Sequence, residues 1–188
     1  MKTIVCAALV AALPMTVSAQ DTVSPYCDLL KSGWDIILEQ ELAGTWTANH
    51  TGGTMFTGAG AMAFPANEIG QVNFVFEGED IFMTFPEGDL TVFVVDEVNF
   101  IFDPTSEEMA NIGAATTDLD IEIASNCADT SVLPQLMALG QMRGPQGSTD
   151  TQVYFKMIDR DLIAGVQHID ITGPNFSGYI VATVMLTR

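Results

Sequence analysis

Leu42-Ala43-Gly44-Thr45-Trp46-Thr47 decides how the chain is read. Thr45, Trp46 and Thr47 are strand formers, and Gly44 separates them from a helical pattern before them. Downstream, His50-Thr51-Gly52-Gly53 reads as a turn, and Thr54 to Phe64 as a strand whose Gly58-Ala59-Gly60-Ala61 centre lets it bend at a barrel corner. From Gln71 the apolar period is two: Val72, Phe74 and Phe76 alternate with Gln71, Asn73 and Glu77. Turns at Glu77-Gly78-Glu79-Asp80, Pro86-Glu87-Gly88-Asp89 and Asp96-Glu97 then separate strands at Ile81 to Phe85, Leu90 to Val95 and Val98 to Phe102. Short antiparallel strands joined this tightly curl, and closure removes their unpaired edges.

The pattern continues on both sides of this meander. Upstream, Leu30, Trp34, Ile37 and Leu38 fall near helical spacing, which predicts a helix over Tyr26 to Gln40 with Asp28 as a cap and Trp34 as a plug for one barrel end. Downstream, Asp103 to Thr117 is a polar connection, and Asp118 to Ala124 alternates Leu119, Ile121 and Ile123 with Asp118, Asp120 and Glu122, the pattern of a half-buried strand. Asp129, Thr130 or Ser131 can then cap a short helix running to about Gln141. Gly144 to Thr149 reads as a loop, and final strands are expected at Gln152 to Ile158, Leu162 to Ile171 and Phe176 to Arg188. Residues 20–188 are expected to form one domain.

Composition narrows the setting. Lys2, the apolar run Ile4 to Leu13 and the small-residue site Val17-Ser18-Ala19 form a secretory signal over residues 1–19, so the chain is expected to be exported, periplasmic or secreted. Removing 19 of 188 residues leaves about 169, enough for one domain with a real core and short for two. The run is too short for a membrane helix, which needs about 20 apolar residues. After cleavage two cysteines remain, Cys27 and Cys127, and in an oxidising compartment they are expected to pair. The 24 acidic residues against 6 basic ones give a net charge of −18, with no Lys or Arg between Ser32 and Met142. Nucleic acid and anionic membrane surfaces are poor partners for such a chain, because both require positive charge to neutralise phosphate.

No catalytic constellation stands out, and no cofactor is called for. The two histidines, His50 and His168, are far apart in sequence, and there is no metal-spaced His pair, phosphate-cradling Gly-rich loop or Gly-x-Ser-x-Gly elbow. His168 and Asp170 would share one strand face. Asp118, Asp120 and Glu122 would lie about 6.6 Å apart along a strand, which leaves open whether they bind calcium or form a solvated face. The apolar inventory says more. Phe74, Phe76, Phe100 and Phe102, with Met83 and Phe85, concentrate in the predicted strands, and Met beside flat aromatics suits an adaptable pocket for a lipid-like molecule. It suits an ordinary filled core equally.

Gly44-Thr45-Trp46, together with Arg188, resembles the opening strand and late Arg of the lipocalins, small calycin-type barrels. The resemblance implies that Trp46 closes the barrel floor, that the Arg188 guanidinium stacks on it, and that the function is binding. The expectation is an all-β, up-and-down antiparallel barrel with an N-terminal helix and one short late helix. Its expected job is non-catalytic binding or carriage of a small apolar ligand. The alternative is a protein-binding module, such as a periplasmic inhibitor or assembly factor, using the rim of a filled barrel.

Overall fold

The computed structural model describes residues 23–86, 88–96, 118–144 and 147–188. The expected signal segment, the expected strand at Val98 to Phe102 and the connection after it lie outside these residues. Nine strands run in chain order: β1 Gly44–Thr57, β2 Gly60–Phe64, β3 Asn67–Glu77, β4 Asp80–Phe85, β5 Gly88–Val94, β6 Gln135–Gly144, β7 Gly147–Asp159, β8 Leu162–Thr172 and β9 Ser177–Thr187. All neighbouring pairs are antiparallel, and β1 pairs β9, so the sheet closes on itself.

Both β2 and β3 lie along the same edge of β1: Thr57 to Gly53 face Gly60 to Phe64, and His50 to Gly44 face Asn67 to Phe74. The break between them falls at Pro65, which has no N–H to give to a ladder. Counted this way the barrel has eight strands, consistent with a calycin-like fold.

The meander over β3 to β5 and strands β8 and β9 lie where the sequence pattern places them. β7 begins earlier than expected: Gly147 to Thr149, read as part of a loop from Gly144 to Thr149, already pair with β6, and Ser148 and Thr149 with β8. Four further local expectations are corrected. His50 to Gly53 is not a turn: β1 runs through it with a bulge between His50 and Gly52, which Gly52 accommodates at φ 144°. The glycines at 58 and 60 do not bend a strand; Gly58 and Ala59 instead form the tight turn between β1 and β2. The helix expected at Tyr26 to Gln40 is shorter: a 3-10 turn at Lys31–Gly33 leads into α1, Trp34–Glu41. Asp28 is not its cap, because Tyr26 and Cys27 are held in a turn by the disulfide and by the Ser24 side chain, which accepts from the Tyr26 N–H.

The fourth correction exchanges a strand and a helix. Residues Asp118–Ser125 form a helix, α2, which is the chain's short late helix, and Ile121 and Ser125 bury one turn apart on it. β1 already has β9 along one edge and β3 and β2 along the other, and the alternating segment takes the structure that satisfies its own backbone. The helix expected from Asp129 to Gln141 contracts to a 3-10 turn at Thr130–Val132, whose N-terminus Asp129 caps by accepting from the Ser131 N–H at 2.8 Å. Pro134 ends it, since the residue before proline is driven from the helical region; Leu133 sits at φ −67°, ψ 142°. Beyond it Leu136, Ala138, Gly140 and Met142 fall on the inward face of β6.

One barrel end is closed. Trp34, Leu38 and Leu42, at helical spacing, are buried from α1 against Trp46, Phe74, Phe155 and Met157. Trp46 is 1% exposed, its indole N–H donates to the Leu42 carbonyl at 2.9 Å, and the Arg188 guanidinium lies over its ring at 4.2 Å. Arg188 also donates to the carbonyl oxygens of Ala43 (2.6 Å) and Leu42 (3.3 Å), which fixes the guanidinium plane over the indole. The indole of Trp34 donates to the Val132 carbonyl at 3.1 Å, tying α1 to the turn before β6. The Cys27–Cys127 disulfide, spanning 100 residues, joins the N-terminal segment to the end of α2. In the chain-entropy picture a loop of that size contributes about 4.7 kcal/mol.

Two outcomes follow from this floor. Trp46→Ala should cost about 3–5 kcal/mol in urea unfolding, and Arg188→Ala about 0.5–2 kcal/mol; a Trp46→Ala protein of wild-type stability would remove the floor assignment. The Tyr26 hydroxyl is pushed above the ordinary phenol range, first by burial and then by donating to Glu41 at 2.5 Å. The unfolded chain releases this proton near pH 10.0 while the folded chain retains it, so stability falls as pH rises through and above that value. Tyr26→Phe should therefore flatten the alkaline loss of stability measured from neutral pH to about pH 11.

Candidate functional site

Above the floor the lumen is open. A cavity of about 300 Å³ lies between β1, β3 to β5 and β6 to β9. Its wall is mainly aliphatic and aromatic, with Ile69, Val72, Met83, Phe85 and Leu90 from β3 to β5, Val153 and Phe155 from β7, and Ile169, Ile171, Ile180 and Val184 from β8 and β9. An eight-stranded barrel can be filled by its own side chains, so an open lumen requires small residues at inward positions. Cross-strand partners identify them. Ala138 faces Val153, Gly140 faces Thr151, Ala182 faces Gln167 and Gly165 faces Phe155, and Ala48 lines the cavity itself. At Gly165 an added Cβ would stand 2.7 Å from the Phe155 ring, so glycine there lets a large aromatic lie flat under the cavity.

Four polar side chains enter this apolar space. The bulge after His50 keeps that residue facing inward opposite Val184, then shifts the parity so that Gly53 faces Ala182. His50 is 8% exposed, its Nε2 donates to Gln167 Oε1 at 2.6 Å, and its ring stands edge-on to Phe64 at 5.0 Å. Thr149 and Thr151, two apart on β7, also line the cavity. Their Oγ1 atoms are buried and have no hydrogen-bond partner among the described residues. Among the described residues no Lys, Arg, Asp or Glu lines the cavity.

The residues singled out in the sequence are distributed along the barrel axis. Met83 and Phe85 line the cavity. Phe74 is buried in the core with Trp46, and half-buried Phe76 packs against that core. Phe100 and Phe102 lie outside the described residues. His168 and Asp170 do share a face, with Nδ1 and Oδ2 3.6 Å apart, but it is the half-exposed outer face. On β8 the inward residues are the alternate ones, Gln167, Ile169 and Ile171, and the same parity on β7 gives Thr149, Thr151 and Val153. The helical backbone of α2 removes the strand spacing on which a calcium site at Asp118, Asp120 and Glu122 would stand. Among the described residues no group of three or more His, Cys, Asp or Glu is placed to hold a metal ion, and no helix is long and apolar enough to cross a membrane.

No family model, curated protein or solved structure matches the chain.

A buried hydroxyl without a partner costs about 1–3 kcal/mol. Thr151→Val keeps the shape and removes the unpaired group, so in the ligand-free protein it should hold or raise the urea midpoint, by up to that amount; a marked loss of stability would show that the hydroxyl is already satisfied within the fold.

Proposed function

We propose that the protein is an exported, non-catalytic carrier that holds a small apolar ligand in the barrel lumen. The observation that carries this reading is the 300 Å³ cavity with an almost wholly apolar wall. That size is at the lower bound of ligand pockets, and a cavity of about 150 Å³ already accepts benzene, so the occupant is a compact molecule rather than a two-chain lipid. A protein-binding role would be served by a barrel filled to its mouth, and the small inward residues Ala48 and Ala138 work against filling.

Export rests on the signal at residues 1–19, and the disulfide fits an oxidising compartment. A barrel lying in a membrane needs an apolar outer band. Here Gln141 donates to Asp150 on the outer face, Arg143 donates to Gln141, and His168 pairs with Asp170, an arrangement suited to water. The floor of Gly44, Trp46 and Arg188 supports reading the barrel as lipocalin-like. Chain order favours the broader calycin-type reading, because lipocalins carry one strand after their late helix and this chain carries four after α2.

Native mass spectrometry of protein purified from its own host, followed by solvent extraction, should reveal a bound small molecule. N-phenyl-1-naphthylamine should bind the emptied protein and be displaced by the extract. Ala48→Leu and Val153→Phe, which push side chains into the lumen, should weaken probe binding about tenfold or more while the protein stays folded by circular dichroism. A clean apo mass together with no probe binding would remove the carrier reading.

A further inference from the structure

The polar side chains that line the lumen among the described residues are His50, Thr149, Thr151 and Gln167. Thr149 and Thr151 point the same way from β7, about 6.6 Å apart along the strand. Their directly opposed residues are Met142 and Ile171 for Thr149, and Gly140 and Ile169 for Thr151, none of which carries a hydrogen-bonding side chain. The hydroxyls are therefore buried where neither neighbouring strand can answer them, and Thr151 is only 5% exposed. Gly140 supplies no side chain there, and the place beside it is taken by Leu90, whose Cδ2 would stand 2.4 Å from an added Cβ. Gln167 lies diagonally across from Thr151, because it pairs with Val153, and it holds His50 through the 2.6 Å hydrogen bond. A fold that spends its interior on aliphatic wall and leaves two hydroxyls unanswered is shaped for an occupant that answers them.

We infer that the lumen takes a neutral amphiphile with one hydroxyl or carbonyl head, held at Thr149 and Thr151 beside the His50–Gln167 pair, and that it discriminates against carboxylates of the same length. This rests on the carrier reading and names the chemical class of its ligand. The hydroxyls can each donate one hydrogen bond and accept others, which suits an uncharged oxygen. A carboxylate would have to shed its hydration with no Lys or Arg among the described lining residues to receive it. A net charge of −18 also lowers the concentration of anions at the mouth.

The test is calorimetric titration of the full chain, emptied of ligand, with 1-octanol, octanoate and butylbenzene at neutral pH. Wild type should bind 1-octanol about tenfold or more tighter than octanoate. Thr151→Val should weaken 1-octanol about five- to tenfold while butylbenzene binds as well as before or better. Unchanged butylbenzene binding shows that the lumen is intact, and Thr149→Val supplies the same comparison should Thr151→Val fail to fold. Octanoate binding as tightly as 1-octanol would overturn the inference, as would a variant that weakens both neutral probes equally or neither. If butylbenzene binds wild type and 1-octanol gains nothing from its hydroxyl, the carrier reading stands and this inference falls. If none of the three binds, both fall together.

Discussion

The closure of the sheet between β1 and β9 is the constraint on which the remainder of the structure depends. β1 is 14 residues long, and it serves three partners at once: β9 along one edge, with β3 and then β2 along the other. Each backbone N–H and C=O that a closed ladder pairs is one that an open edge would leave to solvent or to another chain. Closure also dictates what later segments may do. With both edges of β1 taken, the alternating stretch at Asp118–Ser125 has no place beside it, and it folds as a helix over the closed end, where Ile121 joins the floor core.

The second constraint is volume. Side chains on the inward faces decrease in size from floor to middle: Trp46, Phe74 and Phe155 fill the closed end, and Ala48, Ala138 and Gly140 follow above them. The lumen opens where the large residues stop. This gradient is a property of strand parity, and one irregularity maintains it. Without the bulge after His50, Gly53 would face outward, and a larger residue of β1 would turn toward Ala182, where an added Cβ at Gly53 already stands 2.2 Å from the Val181 carbonyl oxygen.

The barrel was legible from Gly44-Thr45-Trp46 and from the period-two strands because those signals are local: alternation over a few residues determines both conformation and facing. The placement of Trp46 beneath Arg188 comes from the lipocalin resemblance of Gly44-Thr45-Trp46 and Arg188, not from any local pattern, since the two are far apart in the chain. The segments misread are those in which tertiary structure overrides propensity. Gln135–Gly144 is rich in Leu, Met, Ala and Gln, good helix formers, yet it fills a vacant place in the sheet between β5 and β7. Asp118–Ser125 alternates like a strand and is a helix for the opposite reason. The polar residues of the lumen were out of reach because their facing depends on a bulge that reads as a turn in the sequence, and on β7 and β8 parities that His168 and Asp170, on the outer face, drew attention from. Gln167 and the two threonines carried a usable signal: each is a polar residue in phase with an aliphatic row.

Anchoring is concentrated at the closed end. There the disulfide, the Trp34 indole on the Val132 carbonyl, Tyr26 on Glu41, Arg160 beside that same carboxylate at 3.4 Å, and Arg188 on the Leu42 and Ala43 carbonyls cross-tie the helix, the turns and the chain termini of the barrel. Toward the mouth the described side-chain links are hydrogen bonds and ring contacts: His50 with Gln167 and with the Phe64 ring, Phe56 stacked on Tyr179, and Thr57 within the turn of the β1–β2 hairpin. Local opening draws on the parts of a fold with the fewest such ties. On the proposed carrier reading, a floor that is over-determined and a rim that is not would let the mouth admit a molecule while the strands are held from below. His50 and Thr151, 8% and 5% exposed, are buried between those two regimes.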